Sequence, residues 1–493
     1  MEQMNLKKIA EACGGKLVLG TALSQKSAEA VGGRITEETE ITGAVLDSRQ
    51  VTEGMLFFAT VGERVDGHKF IGGVFEKGAC AVVCQKTPEQ VEAEHGLDAA
   101  SWGAYILVED TLQALKDVAE YYRSTLQIPI VGITGSVGKT STKEYIAGVL
   151  SEKYNVLKTE GNFNNEIGVP LTLLRIRKEH EAAVVEMGIS EFGEMRRLSK
   201  MVRPNVCVIT NIGQCHLENL KTRDGILQAK TEMFEYMAED AQVCLNGDDD
   251  KLAGVKTVGG KAVHYFGLGA NCEEEVYAAE IVSKGLFGSD AKLHLRTPIE
   301  ESEQWEEQIL DIEVTQPGVH MVTNAAAAAC VGRILGLTGD EMAEGIRKVA
   351  PVRGRSRLVA MPHYTLIDDC YNANPVSMKA AIDLLNMAEN KKIAVLGDMF
   401  ELGADSDALH EQVGAYAAAS GIDCLICAGA NSVHMERGAK AQGDCEVRYF
   451  AQKADLVAAL KENRESLIPN DSTVLLKASN GMQFVELLEL LQK

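Results

Sequence analysis

At 493 residues the chain is too long for one hydrophobic core, and its length corresponds to about three domains. Hydrophobic residues at 46% and charged residues at 24% are the proportions of an ordinary soluble globular protein. The 71 acidic against 49 basic residues leave a net charge of −22, which disfavours a general nucleic-acid binder and requires any anionic ligand to meet local positive charge.

The N-terminal stretch MEQMNLKKIAEACGGKL has no long apolar core followed by a cleavage site, and it predicts an amphipathic helix ending at Gly14-Gly15. No apolar run reaches the roughly 20 residues of a bilayer span, so a cytoplasmic protein without a membrane span is expected. Short β-like runs (GMLFFATV, ACAVVC, AYILVED) then alternate with loops such as GERVDGHKF. The helical TLQALKDVAEYYRSTL leads into IPIVGITG, where a new strand closes a first domain over residues 1–127.

Strand and helix alternate from there: IPIVGIT with KTSTKEYIAGVLSEKY, EAAVVEM with EFGEMRRLSKM, NVCVITNIG with TRDGILQAKTEMFEYM, and then AQVCLNGDDD. Near-continuous apolar strands between amphipathic helices predict a buried parallel sheet covered on both faces. Residues 275–315 alternate instead (AKLHLRT, QILDIEVT) and predict a small antiparallel insertion. The helical HMVTNAAAAACVGRIL closes this domain, 128–352, near APVRGRSRL. Over 353–493 the runs YTLIDDCY, KKIAVLGDM, IDCLICAGA, EVRYF and TVLLKAS alternate with helices and predict a second, smaller doubly wound domain. The fold class is therefore α/β in three domains: a small N-terminal α/β domain, a central P-loop ATPase-type parallel sheet and a C-terminal Rossmann-like domain. The 12 cysteines are scattered through apolar runs; Cys424 and Cys427 form a CxxC without a second pair or a nearby histidine, so buried thiols in a reducing compartment are expected.

The stretch VGITGSVGKTSTKEY has the strand, glycine turn and helix of a phosphate cradle. Backbone N–H groups from Gly135 through Ser136, Val137 and Gly138 to Lys139 can face oxygens at a helix N-terminus. Lys139 supplies charge, and the Thr140 hydroxyl, followed by Ser141, can hold magnesium. Ile133 stands where the longer P-loop carries its first glycine, so the match is to the short form TGxxGKT.

Glu186 and His216 follow strand ends, where ligands of open α/β sheets gather, and could complete divalent-metal shells. In TEGNFNNEIGVP, Asn162, Asn164 and Asn165 serve either a tight turn or substrate contact. Asn246 and Asp249 in LNGDDD either cap a helix or bind adenosine. His320 and Asn324 share one helix face and are either a helix start or a ligand contact. Lys230 in LQAKTEMF reads as a solvated helix lysine. In the C-terminal segment, Asp369 ends a strand and Asn374-Pro375 leads into a helix at Ser377. Asp398 and Glu401 end the next strand, and Lys477 and Ser479 a later one.

This constellation resembles the Mur ligases, ATP-dependent amide-forming enzymes of peptidoglycan precursor synthesis, over nearly the whole chain. TGSVGKTSTKE is similar to the family's short P-loop, TEGNFNNEIGVP to its asparagine-rich loop, and VVEMG with NIGQCHLE to its magnesium ligands. DDCYNANPVSM and LGDMFELG resemble the branch that joins D-alanyl-D-alanine to UDP-MurNAc-tripeptide. The resemblance implies ATP and two Mg2+ ions, with Thr140 and Glu186 holding one ion and His216 with a carbamylated Lys230 the other. It implies adenosine contacts from Asn246, Asp249, His320 and Asn324, with Arg355 at the γ-phosphate. It further implies uridine-diphosphate contacts from Ser48, Arg49, Arg64, Asp66 and His68, and substrate contacts from the asparagine loop, Asp369, Tyr371, Asn372, Asn374, Ser377, Lys477 and Ser479. A catalytic set of Lys139, Lys230, His216 and Arg355, in a monomer with no nucleic-acid partner, follows from the same resemblance. Ala478 and Asn480 depart from the family's glycine and arginine, and Cys215 from its small alanine. Alternatives are a relative that adds the third stem residue, a nucleotide-gated binding module or ATPase, and, on the P-loop alone, a small-molecule kinase.

Overall fold

The computed structural model describes residues 3–20, 35–62, 65–98, 102–269, 275–299, 305–443 and 445–493. The first sheet holds β1 (Lys16–Val18), β2 (Ala44–Val45), β3 (Leu56–Phe58), β4 (Ala81–Cys84) and β5 (Ala104–Leu107) in the order β1-β5-β4-β3-β2. Only β1 runs antiparallel to its neighbour. One face packs Phe57 on Val74, Phe75 and Trp102. The other packs Leu56, Val83 and Ile106 on Leu115 and Val118 of helix Thr111–Thr125. That helix starts where the Asp110 carboxylate accepts the amides of Leu112 and Gln113. Its far end is fastened to the next domain by Arg123, whose guanidinium donates to the carbonyls of Val202 and Arg203 and to Asn205.

The central sheet comprises β6 (Ile130–Thr134), β7 (Val156–Lys158), β8 (Ala182–Glu186), β9 (Val206–Ile209) and β10 (Gln242–Asn246). After the small hairpin β11 (Thr257–Val258) and β12 (Lys261–Ala262) it continues with β13 (His264–Gly267), β14 (Val276–Ser283), β15 (Ser289–Pro298) and β16 (Trp305–Val314). Its order is β7-β8-β6-β9-β10-β13-β14-β15-β16. Here the sequence expectation needs correction. The alternating segment is not a separate insertion: β14 pairs parallel to β13, and β15 and β16 extend the same sheet antiparallel, making it mixed. Alternation reported correctly that these strands have one wet face, but it carries no information on which sheet they join. The P-loop strand β6 lies between β8 and β9, so the chain leaves it toward both edges and opens a crevice at the C-terminal strand ends. Helices Lys139–Leu150 and Val319–Ile334 cover one face, where the run Ala325–Ala329 lets the two helices pack closely under the strands.

The third sheet contains β17 (Arg357–Ala360), β18 (Tyr364–Asp368), β19 (Lys391–Gly397), β20 (Cys424–Ala428), β21 (Glu446–Phe450) and β22 (Ser472–Lys477) in the order β17-β18-β22-β19-β20-β21. All pairings except β17–β18 are parallel. Cys424 and Cys427 point into the cores on opposite faces of this sheet, so the CxxC is a feature of strand packing. The neighbouring ends of β18 and β22 deliver Asp369 and Lys477 toward the central domain.

Candidate active site

The C-terminal strand ends of the second and third sheets face one another across a cleft of about 920 Å3. On the central side, Gly135 leaves β6 so close to β9 that a Cβ there would lie 1.9 Å from the Thr210 hydroxyl oxygen. The P-loop is clamped to the segment after β9: Thr210 Oγ1 and Asn211 Nδ2 donate to the carbonyl of Val137. In return Ser136 N–H donates to the Asn211 carbonyl and Val137 N–H to Asn211 Oδ1. These two amides are therefore occupied, which corrects the expectation that the whole loop offers N–H groups to a ligand. The donors left include those of the first turn of helix Lys139–Leu150, which have no intrahelical partner. Lys139 folds back on its own loop, donating to the Gly135 carbonyl at 2.8 Å. Burial lowers its pKa, and the nearby Glu186 opposes that shift.

Glu186, at the end of β8, is buried, accepting from Thr140 Oγ1 at 3.0 Å and Asn164 Nδ2 at 2.8 Å. The structure thus brings together the P-loop, the asparagine loop and the acidic strand end. Both partners of this carboxylate are neutral, leaving a buried negative charge beside the phosphate cradle, as a divalent-cation ligand requires. Asn165 instead uses its side-chain oxygen to accept from Ile167 and Gly168 and build the turn. His216 lines the cleft in a left-handed backbone conformation, its Nδ1 at 2.7 Å from Glu401 of the C-terminal domain.

Lys230 overturns its reading as a solvated lysine. It is 1% exposed, because it shares the inward face of helix Arg223–Thr231 with Ile226 one turn earlier. Burial, aided by the nearby positive Lys139, pulls its pKa down to about 8, against the opposing influence of Cys215. Neither Lys230 nor Thr140 belongs to the cleft lining; both lie behind it.

Farther along the central wall, Asn246 donates to the Thr210 carbonyl, and Asp249 accepts the amides of Ile212, Lys251 and Leu252. Asp249 therefore caps a short helical turn and ties it to the loop after β9, while both residues also line the cleft. Asn324 accepts from Thr142 Oγ1 at 2.8 Å, fastening its helix to the P-loop helix; His320 lies exposed to the cleft one turn earlier.

On the C-terminal wall the Arg355 guanidinium stacks over the Tyr371 ring at 4.0 Å, and the Tyr371 phenol interacts with Asn162 across the cleft. Lys477 donates to Asp369 at 2.5 Å and to the Asn372 carbonyl at 2.9 Å. Asn374 and Ser377 cap helix Pro375–Asn386 reciprocally, so both side chains serve the fold as well as the wall. Ser479 lies behind the wall, accepting from the Phe400 amide. Asp398 accepts from the amide and hydroxyl of Ser432 and is a structural cap. Asn480, which departs from the family pattern, donates to the Tyr371 carbonyl.

None of Ser48, Arg49, Asp66 and His68 lines this cleft. Arg49 is exposed and paired with Asp47. The His68 ring is fully enclosed, with Nδ1 on Asp66 at 2.7 Å and Nε2 accepting the Gln85 amide at 3.0 Å. In this arrangement His68 has no free nitrogen for a ligand and acts as a structural brace. Arg64 lies outside the described residues. Sequence reading missed Thr210, Asn211, Arg223, Phe266, Met321 and Thr323 in the cleft wall. The signal for the first two was their place immediately after β9; the apolar members carried none.

Among the described residues no helix is long and apolar enough to cross a membrane. Family models match the chain as follows: "Mur ligase family, catalytic domain" over 40–123, "Mur ligase middle domain" over 133–332, and "Mur ligase, glutamate ligase domain" over 354–480. The UDP-N-acetylmuramoyl-tripeptide–D-alanyl-D-alanine ligase of Bacillus subtilis is 35% identical over 457 residues, covering 92% of this chain and 93% of its own. The Escherichia coli enzyme of the same name is 33% identical over 452 residues, covering 91% and 93%. Among solved structures, a MurF crystal structure from Acinetobacter baumannii superposes with a TM-score of 0.80 at 30% identity, covering 96% of this chain and 99% of that one. MurF ligase of Thermotoga maritima in complex with ADP gives 0.75 at 27%, covering 91% and 97%.

Proposed function

The chain belongs to the Mur ligase family, and we propose that its cleft joins D-alanyl-D-alanine to UDP-MurNAc-tripeptide at the expense of ATP. The observation that carries this reading is the convergence of the P-loop, Glu186 and the Arg355–Tyr371 wall on one cleft, in a chain whose relatives bear that name along their length. The terminal carboxylate of the tripeptide attacks the γ-phosphorus of ATP, and ADP leaves, giving an acyl phosphate. The amine of the dipeptide attacks the acyl carbon, and the tetrahedral adduct expels phosphate and loses a proton as the amide forms.

Lys139 and the first turn of its helix offset charge on the nucleotide phosphates, with Arg355 approaching the γ-phosphate from the other domain. Asn246, Asp249, His320 and Asn324 border the nucleoside. Asn162, Asn164, Asp369, Tyr371, Asn372 and Lys477 border the reacting peptides. Water would hydrolyse the acyl phosphate, and a cleft walled by two domains excludes it when they close. Thr140 and Glu186 would hold one magnesium ion, and His216 with Lys230 a second, supplying positive charge opposite the transferring phosphoryl group. The lowered Lys230 pKa raises the fraction of neutral amine above that of an ordinary lysine, and that amine can add to carbon dioxide, release a proton and become an anionic ligand. Ser48, Arg49 and Asp66 on the N-terminal domain are assigned to the uridine diphosphate. A division at 1–127, 128–352 and 353–493 follows these roles. The chain is assigned as a monomer, and nucleotide-linked substrates suit the cytoplasm.

The test is ATP-dependent phosphate release with UDP-MurNAc-tripeptide, with and without D-alanyl-D-alanine, and mass analysis of the uridine product. Release that needs the dipeptide and yields the pentapeptide is expected. Phosphate release indifferent to the amine would leave an ATPase and overturn the reading.

A further inference from the structure

His216 and Glu401 meet across the interface between the central and C-terminal domains, 2.7 Å apart. Both are non-glycine residues in left-handed backbone conformations, with φ of 50° and 62°. Such conformations cost free energy and persist where the surroundings over-determine them. The surroundings here are explicit. The loop carrying Glu401 is held by Met399 N–H donating to the buried His410 Nε2, and by Phe400 N–H donating to Ser479 Oγ. Met399 and Leu402 on either side are buried, and Gly403 lies against the backbone of Glu218, two residues past His216. The loop is thus rigid on its own sheet and seated on the turn that carries the imidazole. Glu401 itself remains largely solvent-exposed, so the contact contributes little to holding the chain folded.

We infer that Glu401 is a positioning residue that makes the metal site depend on seating of the C-terminal domain. Its carboxylate lies 2.7 Å from Nδ1 of His216, which engages that nitrogen and leaves Nε2 as the ring atom free for a cation. The inference rests on the reading of His216 as a metal ligand. A ligating histidine is commonly oriented by an acceptor on its other nitrogen, and losing such an acceptor weakens metal binding by about 10- to 100-fold. Here that acceptor comes from a different domain from the ligand. A displaced C-terminal domain therefore leaves His216 free to change tautomer and rotate, and binding at that position is coupled to closure.

The test measures Mn2+ affinity by electron paramagnetic resonance, with ADP present, on the full chain and on E401A, E401Q and H216A. The His216 tautomer is read from 15N shifts of histidine-labelled protein. We expect E401A to bind Mn2+ about tenfold more weakly and to show a mixed tautomer, with an unchanged melting temperature. E401Q retains an acceptor oxygen and should fall between E401A and wild type, and H216A should lose at least as much as E401A. Weakening in H216A alone, with E401A retaining wild-type affinity and tautomer, would overturn the role of Glu401 and leave the metal reading standing. No weakening even in H216A would overturn both.

Discussion

Replacing Lys477 by methionine keeps the apolar stem and removes the ammonium that donates to Asp369 at 2.5 Å and to the Asn372 carbonyl at 2.9 Å. Lys477 is 2% and Asp369 7% exposed, so solvent does little to screen the loss. The carboxylate is left with the Ser356 amide, at 3.0 Å, as its remaining hydrogen-bond donor among the described residues. Breaking a buried pair from one side costs about 3–5 kcal/mol. The ceiling is the cost of neutralising an ordinary carboxylic acid at pH 7, about 4 kcal/mol, because protonation relieves anything larger. We therefore expect about 3–4 kcal/mol, which lowers the melting temperature of a unit this size by roughly 10 °C. The assay is thermal unfolding, with hydrogen exchange over 354–493 locating the loss in the C-terminal domain. The double variant D369N/K477M removes both charges and should be less destabilised than the sum of its single variants by about 2 kcal/mol. A K477M protein that melts with the wild type, or a strictly additive cycle, would refute the account of a mutually dependent buried pair.

Gly135→Ala forces a Cβ into the Thr210 hydroxyl and must part the P-loop from β9; ADP affinity measured by calorimetry should fall by at least about tenfold, and an unchanged affinity would show that the clamp is dispensable. His68 and His410 each accept a backbone amide at Nε2, and burial holds both pKa values below the ordinary range. The unfolded chain therefore binds more protons than the folded one as pH falls through about 6.5. Stability should be level above that value and decline below it; a double H68Q/H410Q variant with the same acid slope would remove these rings as the cause.

The legible parts of this molecule are those set by local rules. The runs IVGI, AAVV and VCVI are apolar because their strands are buried on both faces, and the GKT turn fixes where a helix begins. Candidate site residues were legible at strand ends, where Glu186 closes β8 and Asp369 follows β18. Residues alone gave Lys230 only the reading of a solvated helix lysine, and its place in the site came from the resemblance, because its burial depends on which face of its helix meets the core. The bracing of His68 was not legible because its second partner, the Gln85 amide, sits on a neighbouring strand end that sequence proximity does not reveal. The meeting of His216 with Glu401 depends on how two domains seat, and nothing local to either residue encodes it.

The charge of the chain, −22, opposes the approach of a polyphosphate, yet the cleft resolves the opposition by pairing. Of the lysines and arginines in its wall, Lys477 is paired with Asp369 and Arg223 with Asp250. Lys139 and Arg355 have no carboxylate ion-pair partner among the described residues; the first lies on carbonyl oxygens and the second on a ring. Those two, with the helix N-terminus, carry the attraction at short range, while the field farther out is repulsive. Raising salt from about 0.01 to 0.15 M shortens the Debye length from about 30 to 8 Å. It should screen the distant repulsion more than the contacts inside the cleft. The association rate of a fluorescent ATP analogue, followed by stopped flow at fixed magnesium, is accordingly expected to rise with salt. A rate that falls instead would mean that the cations of the cleft project beyond its mouth and steer the nucleotide in, contrary to the paired arrangement seen there.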